Sequence, residues 1–567
     1  MIWREGLEVR ELEPIKLGKS DASVWAGAVW VGEIRTDELD VQRLELAGGV
    51  NFRRARFLVW EDDEARGFIE LPITDGGVDV ATVKAEIEEL PPIRSRLAPW
   101  VRPPMSVVVC TKDNPDDLRD ALEKIAALDY PEFEIVVVDN NPSSGLTPPV
   151  VAAVDSGSIR RVDAVGQGLS IARNVGVKNA RHRIIAFTDD DVLVDRSWLT
   201  NLAYGFSVGD DVACVCGMAA SAELATPSQV YFDKRVGWAD CDSAVFELAA
   251  PPEDPIFPFR VAAYGTGANF AIRKDVVLAL GGFDEGLGVG SPTGGGEDLD
   301  IFSRVLLADK QLVREPSAVV WHRHRRTIGE LKIQIYNYGR GLGAWITKLL
   351  FRPKTLAMVL RRVRVGIRHL RGVTAVDQGE MDDSITVDQT ALPDLKLLRR
   401  HELRGVLSAP WALARARIAG RAAAPLRMQS SAPMKMNFRR GHMWGDPGSK
   451  IAAGRLALTA TALGLIGSVG AIPNLPSPVL GIAAAAFVFA GPGCLALSWY
   501  TTIPTEVRLP LIPIVSLAVC ILVVAGLLMF GFYSPAVVLL GMTGVTAAVG
   551  LCRCGYLVWG RRDVDAT

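Results

Sequence analysis

Short apolar runs closed by polar clusters govern the middle of the chain. Met105–Cys110 reads as a strand, and Leu118, Leu122, Ile125 and Ala126 then recur at helical spacing, with Asp116 expected as the N-cap. Glu134–Val138, Ile159–Val162 and Ile184–Phe187 read as further strands, with a helix across GQGLSIARNVGVKNA between the last two. This βαβαβαβ alternation predicts a parallel, doubly wound α/β sheet. In such sheets ligands sit beyond the carboxyl ends of the strands. Thr111/Lys112/Asp113, Asp139/Asn140 and Asp189/Asp190/Asp191 all fall at those ends, so one crevice is expected to collect them.

The flanks have other patterns. Residues 1–95 alternate apolar and polar positions in short runs broken by Gly and Asp, which predicts a small β-rich domain; LPPIRSRLAPWVRPP then forms a linker ending near Pro104. From Leu456 to Cys552 the only charged residues are Glu506 and Arg508. Four apolar segments, Leu456–Ile472, Val479–Ser498, Leu509–Phe532 and Ala536–Leu551, have lengths near the roughly 20 residues that cross a bilayer, so four transmembrane helices are expected in 451–560. Lys450, Arg455, Arg508, Arg553, Arg561 and Arg562 lie on one side of these spans. By the positive-inside rule both termini and the soluble part are expected to be cytoplasmic, at the plasma membrane. Between these parts, 346–450 holds two basic runs, Phe351–Arg371 and Lys396–Arg427, expected as juxtamembrane amphipathic helices on lipid rather than on nucleic acid.

Composition adds little beyond this. A formal charge of -2 gives no global attraction to polyanions, and the eight cysteines form no CxxC, so a disulfide framework is not expected. MIWREGLEVRELEP has no apolar core and does not read as a signal peptide.

The chemistry starts from the Asp triplet. Asp189 and Asp191 at a strand end can face one hard cation, Mg²⁺ or Mn²⁺, that bridges to phosphates. VVVCTKDNPDDL, EIVVVDNNPS, GLSIARNVGVKNA, IIAFTDDDV, GTGANFAIRKDVVLALGGFDE, GGGEDLDIFSRV and VVWHRHR stand in the order and spacing of family 2 glycosyltransferases, which the segment 104–334 resembles. The likeness is to the rhamnosyl- and galactofuranosyltransferase-like branch. It implies a GT-A fold over 104–345, a nucleotide-sugar donor, inversion at the sugar and a divalent metal. By residue, it implies that Thr111, Asp113 and Asp139 hold the nucleoside, that Arg173 and Asn174 lie near the donor, and that Asn269 lines the sugar pocket. Asp189 and Asp191 would be metal ligands, Asp190 a ribose ligand, and His322 a third metal ligand with His324 as its competitor. Asp298 is expected as general base, with Glu297 beside it as catalytic or as a helix-start acid. A lipid-linked or cell-envelope glycan is the expected acceptor. A polyprenyl-phosphate glycosyl synthase and a catalytically silent membrane scaffold stand as alternatives. A processive synthase is disfavoured, because no QxxRW follows the Glu297-Asp298 pair.

Overall fold

A computed structural model describes residues 2–4, 7–15, 25–93, 96, 100–154, 157–351, 355–359, 361–362, 394–428, 456–466, 477–498, 512, 516, 519–520 and 535–562. The chain divides into two compact units, Met1–Ala432 and Pro433–Thr567.

The first unit opens with β1 (Ile2–Arg4), β2 (Leu7–Leu12), β3 (Val29–Arg35), β4 (Arg43–Leu46), β5 (Arg54–Glu61), β6 (Glu64–Pro72), β7 (Gly77–Asp79) and helix α1 (Val80–Glu88). These strands form two small sheets, in orders β1-β2-β4-β7 and β3-β5-β6, around a core that includes Trp30, Phe57, Ile69 and Val83.

The central elements are β8 (Met105–Thr111), α2 (Pro115–Ala126), β9 (Phe133–Asp139), α3 (Thr147–Val154), β10 (Ile159–Asp163), α4 (Leu169–Asn179), β11 (Ile184–Asp189) and β12 (Val192–Val194). They continue through α5 (Trp198–Ser207), β13 (Val212–Ser221), α6 (Pro227–Val236), β14 (Ala244–Phe246), β15 (Asn269–Arg273), α7 (Lys274–Ala279), α8 (Glu297–Leu307), β16 (Gln311–His322) and α9 (Ile328–Leu350). Helix α2 starts one residue before Asp116, after Asn114, so Asp116 lies inside its first turn. The strands make one sheet of order β10-β9-β8-β11-β15-β13-β16-β12, with β14 on β16. The run from β10 to β11 is parallel, and β15 pairs antiparallel with β11. Alternate residues feed opposite cores: Val107, Val109, Ile135 and Val137 pack under α2, α3 and α5, whereas Val108, Val136 and Val138 pack under α4 and α8. This is a GT-A-like α/β fold.

Helix α10 (Leu395–Met428) closes the unit by crossing α9. Glycines permit the close approach: a Cβ on Gly339 would lie 2.2 Å from the Glu402 carbonyl oxygen, and one on Gly405 the same distance from that of Tyr336. Arg235 to Glu402 and Arg417 to Asp284 tie α10 to the domain. The second basic run, expected as a juxtamembrane amphipathic helix, is thus docked along one face; the first basic run, Phe351–Arg371, lies mostly outside the described residues.

In the second unit, α11 (Ser477–Leu497) covers most of the second expected span and α12 (Pro535–Arg562) the fourth. The first span is described only to residue 466, and the third lies almost wholly outside the described residues. Pro492 interrupts the hydrogen-bond ladder of α11, and α12 runs on through Arg553 to Arg561 and Arg562. Among the described residues no helix is long and apolar enough to cross a membrane, so the four-helix expectation is not carried by the structure.

Candidate functional site

Parallel register brings the predicted clusters to one edge. Thr111 pairs with Asp139, and Asp189 with Cys110, at the carboxyl ends of β8, β9 and β11. Asp113 takes φ 58° just past β8, and both its oxygens accept from the Asn141 amide at 3.0 and 2.9 Å. That bond holds its carboxyl below the usual range. Asp139 is buried and tied on both oxygens, to the Asn141 N–H at 3.0 Å and to Arg161 at 3.0 Å. The Asp113–Asn141–Asp139 cluster thus forms a pre-set polar edge.

At the triplet, Thr111 donates to Asp190 at 2.6 Å. Burial, with Asp191 adding to it, pushes the Asp190 carboxyl up to about 7. Burial also raises Asp189, against the opposing pull of Arg173. His322 closes the other side, because β16 pairs it with Val192 just after the triplet. Its Nε2 lies 3.6 Å from Asp191 Oδ1, and the Arg325 guanidinium is 3.8 Å from Asp191 Oδ2. Asp189 instead points an oxygen at Arg173, 3.4 Å away. The structure therefore unites two of the three expected metal ligands, and among the described residues no group of three such side chains is arranged to hold an ion. His324 is not an equal competitor. It is 3 % exposed, and its two ring nitrogens lie 3.0 Å from His322 Nδ1 and 2.8 Å from Ser221 Oγ. Burial drives its pKa well down.

Opposite the triplet stands the start of α8. Gly296 at φ 91° turns the chain into the helix, placing Glu297 and Asp298 in its first turn. Asp298 accepts from the Gly267 N–H at 3.2 Å and from the Leu299 N–H at 2.8 Å, which seats it on the GTGAN loop. Glu297 is 6 % exposed. Its Oε1 meets Arg173 at 3.1 Å, while its Oε2 is buried with no hydrogen-bond partner. Burial, then Asp298, lifts the Glu297 carboxyl to about 7. Arg173 joins the two acidic poles. It is 1 % exposed and bonds Glu297, Asp189 and the Gly267 carbonyl.

Three expected donor contacts are not met. Arg173 is enclosed by these partners and by the Phe270 and Phe283 rings, so it is not open to a phosphate. Asn174 turns away to the GGFDE loop, donating to the Phe283 carbonyl at 2.9 Å and accepting from the Phe283 N–H at 2.8 Å. Asn269 is wholly buried; it accepts from Trp198 and donates to the Met218 and Ala318 carbonyls. It braces the sheet rather than lining a pocket. Conversely, Arg325, 53 % exposed beside Asp191, was missed. Its signal is its position three residues past the suspected ligand His322, in WHRHRR.

Residues 106–280 match Glycosyl transferase family 2. The pre-mycofactocin glycosyltransferase of Mycobacterium tuberculosis is 27 % identical over 225 residues, 39 % of this chain and 43 % of the relative. Succinoglycan biosynthesis protein ExoM of Rhizobium meliloti is 26 % identical over 317 residues, 54 % of this chain and 90 % of the relative. A solved structure of the mannosyltransferase PcManGT from Pyrobaculum calidifontis, in complex with GDP-Man and Mn²⁺, is 19 % identical with a TM-score of 0.33 and covers 59 % of this chain and 80 % of its own. The match thus spans under half the length of the mycobacterial relative.

Proposed function

Because residues 106–280 carry a glycosyl transferase family 2 domain, we propose that this chain moves a sugar from a nucleotide-sugar donor to a hydroxyl of a lipid-linked or envelope glycan, inverting the anomeric centre in one displacement. The observation that carries the reading is the facing of two acidic poles, Asp189–Asp191 and Glu297–Asp298, across a single buried guanidinium.

Each pole has its task. The exposed Asp113 and its partner Asn141, braced from behind by the buried Asp139, meet the nucleoside, since carboxylates and amides accept from ribose hydroxyls and base N–H groups. Arg325, exposed beside Asp191, pairs with the diphosphate. The donor set suits a hard cation: carboxylate oxygens with one imidazole, at a place where buried carboxyls are short of positive charge. Asp191 and His322, with Asp189 beside them, would hold it. When bound, such an ion neutralises charge developing on the leaving diphosphate. On the far side Asp298, oriented by two backbone N–H groups, takes the acceptor proton as the hydroxyl attacks. The glycines of GLGVGSPTGGG allow the loop before α8 to close over the donor.

We place the acceptor at the cytoplasmic face of a membrane. The nearly uncharged stretch Leu456–Cys552 supports this, as does the open face of α10, where Leu403, Leu407, Trp411 and Ile418 are exposed among Arg400, Arg404 and Arg415. A vesicle flotation assay in which Trp411→Glu binds anionic liposomes as well as wild type would remove α10 from this reading.

The test of the function is a panel of UDP-, GDP- and dTDP-sugars, read by thermal shift with Mn²⁺ or chelator and followed by transfer assays. One donor should stabilise the protein in a metal-dependent way. Stabilisation by none, or equal stabilisation with chelator present, refutes the metal-dependent transferase.

A further inference from the structure

His322 and His324 hang on a hydrogen-bond chain that leaves the crevice and ends in the N-terminal domain. Arg56, on β5, donates to Asp233 Oδ2 at 2.6 Å. Ser221, at the end of β13, donates its hydroxyl to Asp233 Oδ1. His324 Nε2 lies 2.8 Å from that same Ser221 Oγ, and His324 Nδ1 lies 3.0 Å from His322 Nδ1. The last nitrogen, His322 Nε2, faces Asp191 at 3.6 Å.

The proton count along this chain has one solution for uncharged rings. A guanidinium only donates and an ion-paired carboxylate only accepts, so Asp233 must receive the single Ser221 proton. Ser221 Oγ, its proton spent, accepts from His324 Nε2–H. The His324 ring is packed against Phe232 at 4.7 Å and Trp238 at 6.3 Å between centroids, a setting that disfavours an imidazolium. An uncharged His324 with a proton on Nε2 has a bare Nδ1. His322 must then carry its own proton on Nδ1, which leaves a lone pair on Nε2.

We propose that Asp233, Ser221 and His324 are positioning residues that fix His322 in its Nδ1–H tautomer, presenting the Nε2 lone pair beside Asp191 to a divalent cation. This rests on the reading of His322 as a cation ligand. Ligating histidines generally take their tautomer from the partner of the other ring nitrogen. Here that partner is itself set three links further back, at Arg56, so the N-terminal domain anchors the proton order of the site.

The experiment uses the full chain, free of metal, with ¹⁵N-labelled histidine. Only six histidines are present, and long-range ¹H–¹⁵N spectra assign each ring nitrogen as protonated or bare. The expected result is a protonated Nδ1 and bare Nε2 on His322, with the reverse on His324. A protonated Nε2 on His322 overturns the proposal, and this measurement needs no variant to fold. In Ser221→Ala, His322 should become a tautomer mixture and Mn²⁺ affinity, read by paramagnetic resonance titration, should fall about 10- to 100-fold. An unchanged tautomer and unchanged affinity in that variant also overturn it. The underlying ligand reading is judged apart: if His322→Ala binds Mn²⁺ as tightly as wild type, His322 is no ligand, whatever its tautomer.

Discussion

The two acidic poles of the crevice are compensated in different ways. At the start of α8, Asp298 takes two backbone N–H bonds within a region already favourable to anions. At the end of β11, three successive carboxylates receive the Thr111 hydroxyl, the Asn114 side chain, one guanidinium at 3.4 Å, and the looser approach of His322 and Arg325. Helix starts supply positive potential from their own backbone; strand ends supply far less. Asp298 is therefore satisfied as built, although the Glu297 Oε2 beside it has no hydrogen-bond partner, whereas the strand pole gains most from a cation or a cationic substrate group.

The largest expected effect separates the two acids of the helix pole. Asp298→Asn keeps the shape but cannot take a proton, so turnover should fall about 10²- to 10⁴-fold with donor affinity retained. Glu297→Gln, measured in the same transfer assay, should cost less. A larger loss for Glu297→Gln would move the base to Glu297. Unchanged turnover in Asp298→Asn would fit an acceptor that is already anionic, the polyprenyl-phosphate alternative.

Next in size is the strut between the poles. Arg173→Met strands Glu297 and Asp189 without their shared counter-charge and should destabilise the first unit by about 3–5 kcal/mol in denaturant unfolding. A loss below 1 kcal/mol would show that the poles are compensated independently.

A pH titration of stability sharpens the contrast further. Glu297 sits at about 7 in the folded chain against an ordinary 4.5, so its contribution is complete below about pH 4.5 and is lost as pH rises through 7. With chelator present, wild-type unfolding free energy should fall across that window by on the order of 2 kcal/mol more than that of Glu297→Gln. Asp190→Asn should remove a similar slope, since Asp190 is also lifted to about 7. Parallel curves for variant and wild type would contradict both shifts.

The smallest effect lies at the rim. Arg417, 46 % exposed, pairs with Asp284 in the loop behind α8, and Arg417→Ala should cost under about 1 kcal/mol by thermal melting. A larger loss would mean that docking of α10 supports the helix pole directly.

The legible and illegible parts of this site differ in the range of their contacts. The Asp triplet, Thr111, Asp113 and Glu297-Asp298 were found because a buried strand or a glycine turn fixes where they emerge, and those are local facts. Arg173 reads as a solvated or phosphate-binding cation until Glu297, 124 residues away, is folded onto it. Asn174 and Asn269 carry amides suited equally to a ligand or to orphan backbone groups. Only the Phe283 loop and the β13 and β16 carbonyls decide for the latter. The β-rich start was readable from its alternation, but its attachment was not, because apolar residues on the second face of β3 and β5 look like any other strand residues.

That attachment has a consequence for how the molecule is made. Val29, Val31, Leu58 and Trp60 share a core with Met218, Ala220, Leu224, Val319 and Trp321, and Ala65 bonds Ser317 across 252 residues of sequence. On the ribosome the N-terminal sheets emerge first, with an interior of their own but a sticky outer side whose cover is still untranslated. At roughly 5–20 residues per second the wait for β16 lasts on the order of ten seconds or more. Nascent chains in that interval are natural clients for holding chaperones, and a fragment begun at Pro104 would inherit the complementary defect, a bare apolar back to the very strands that carry His322.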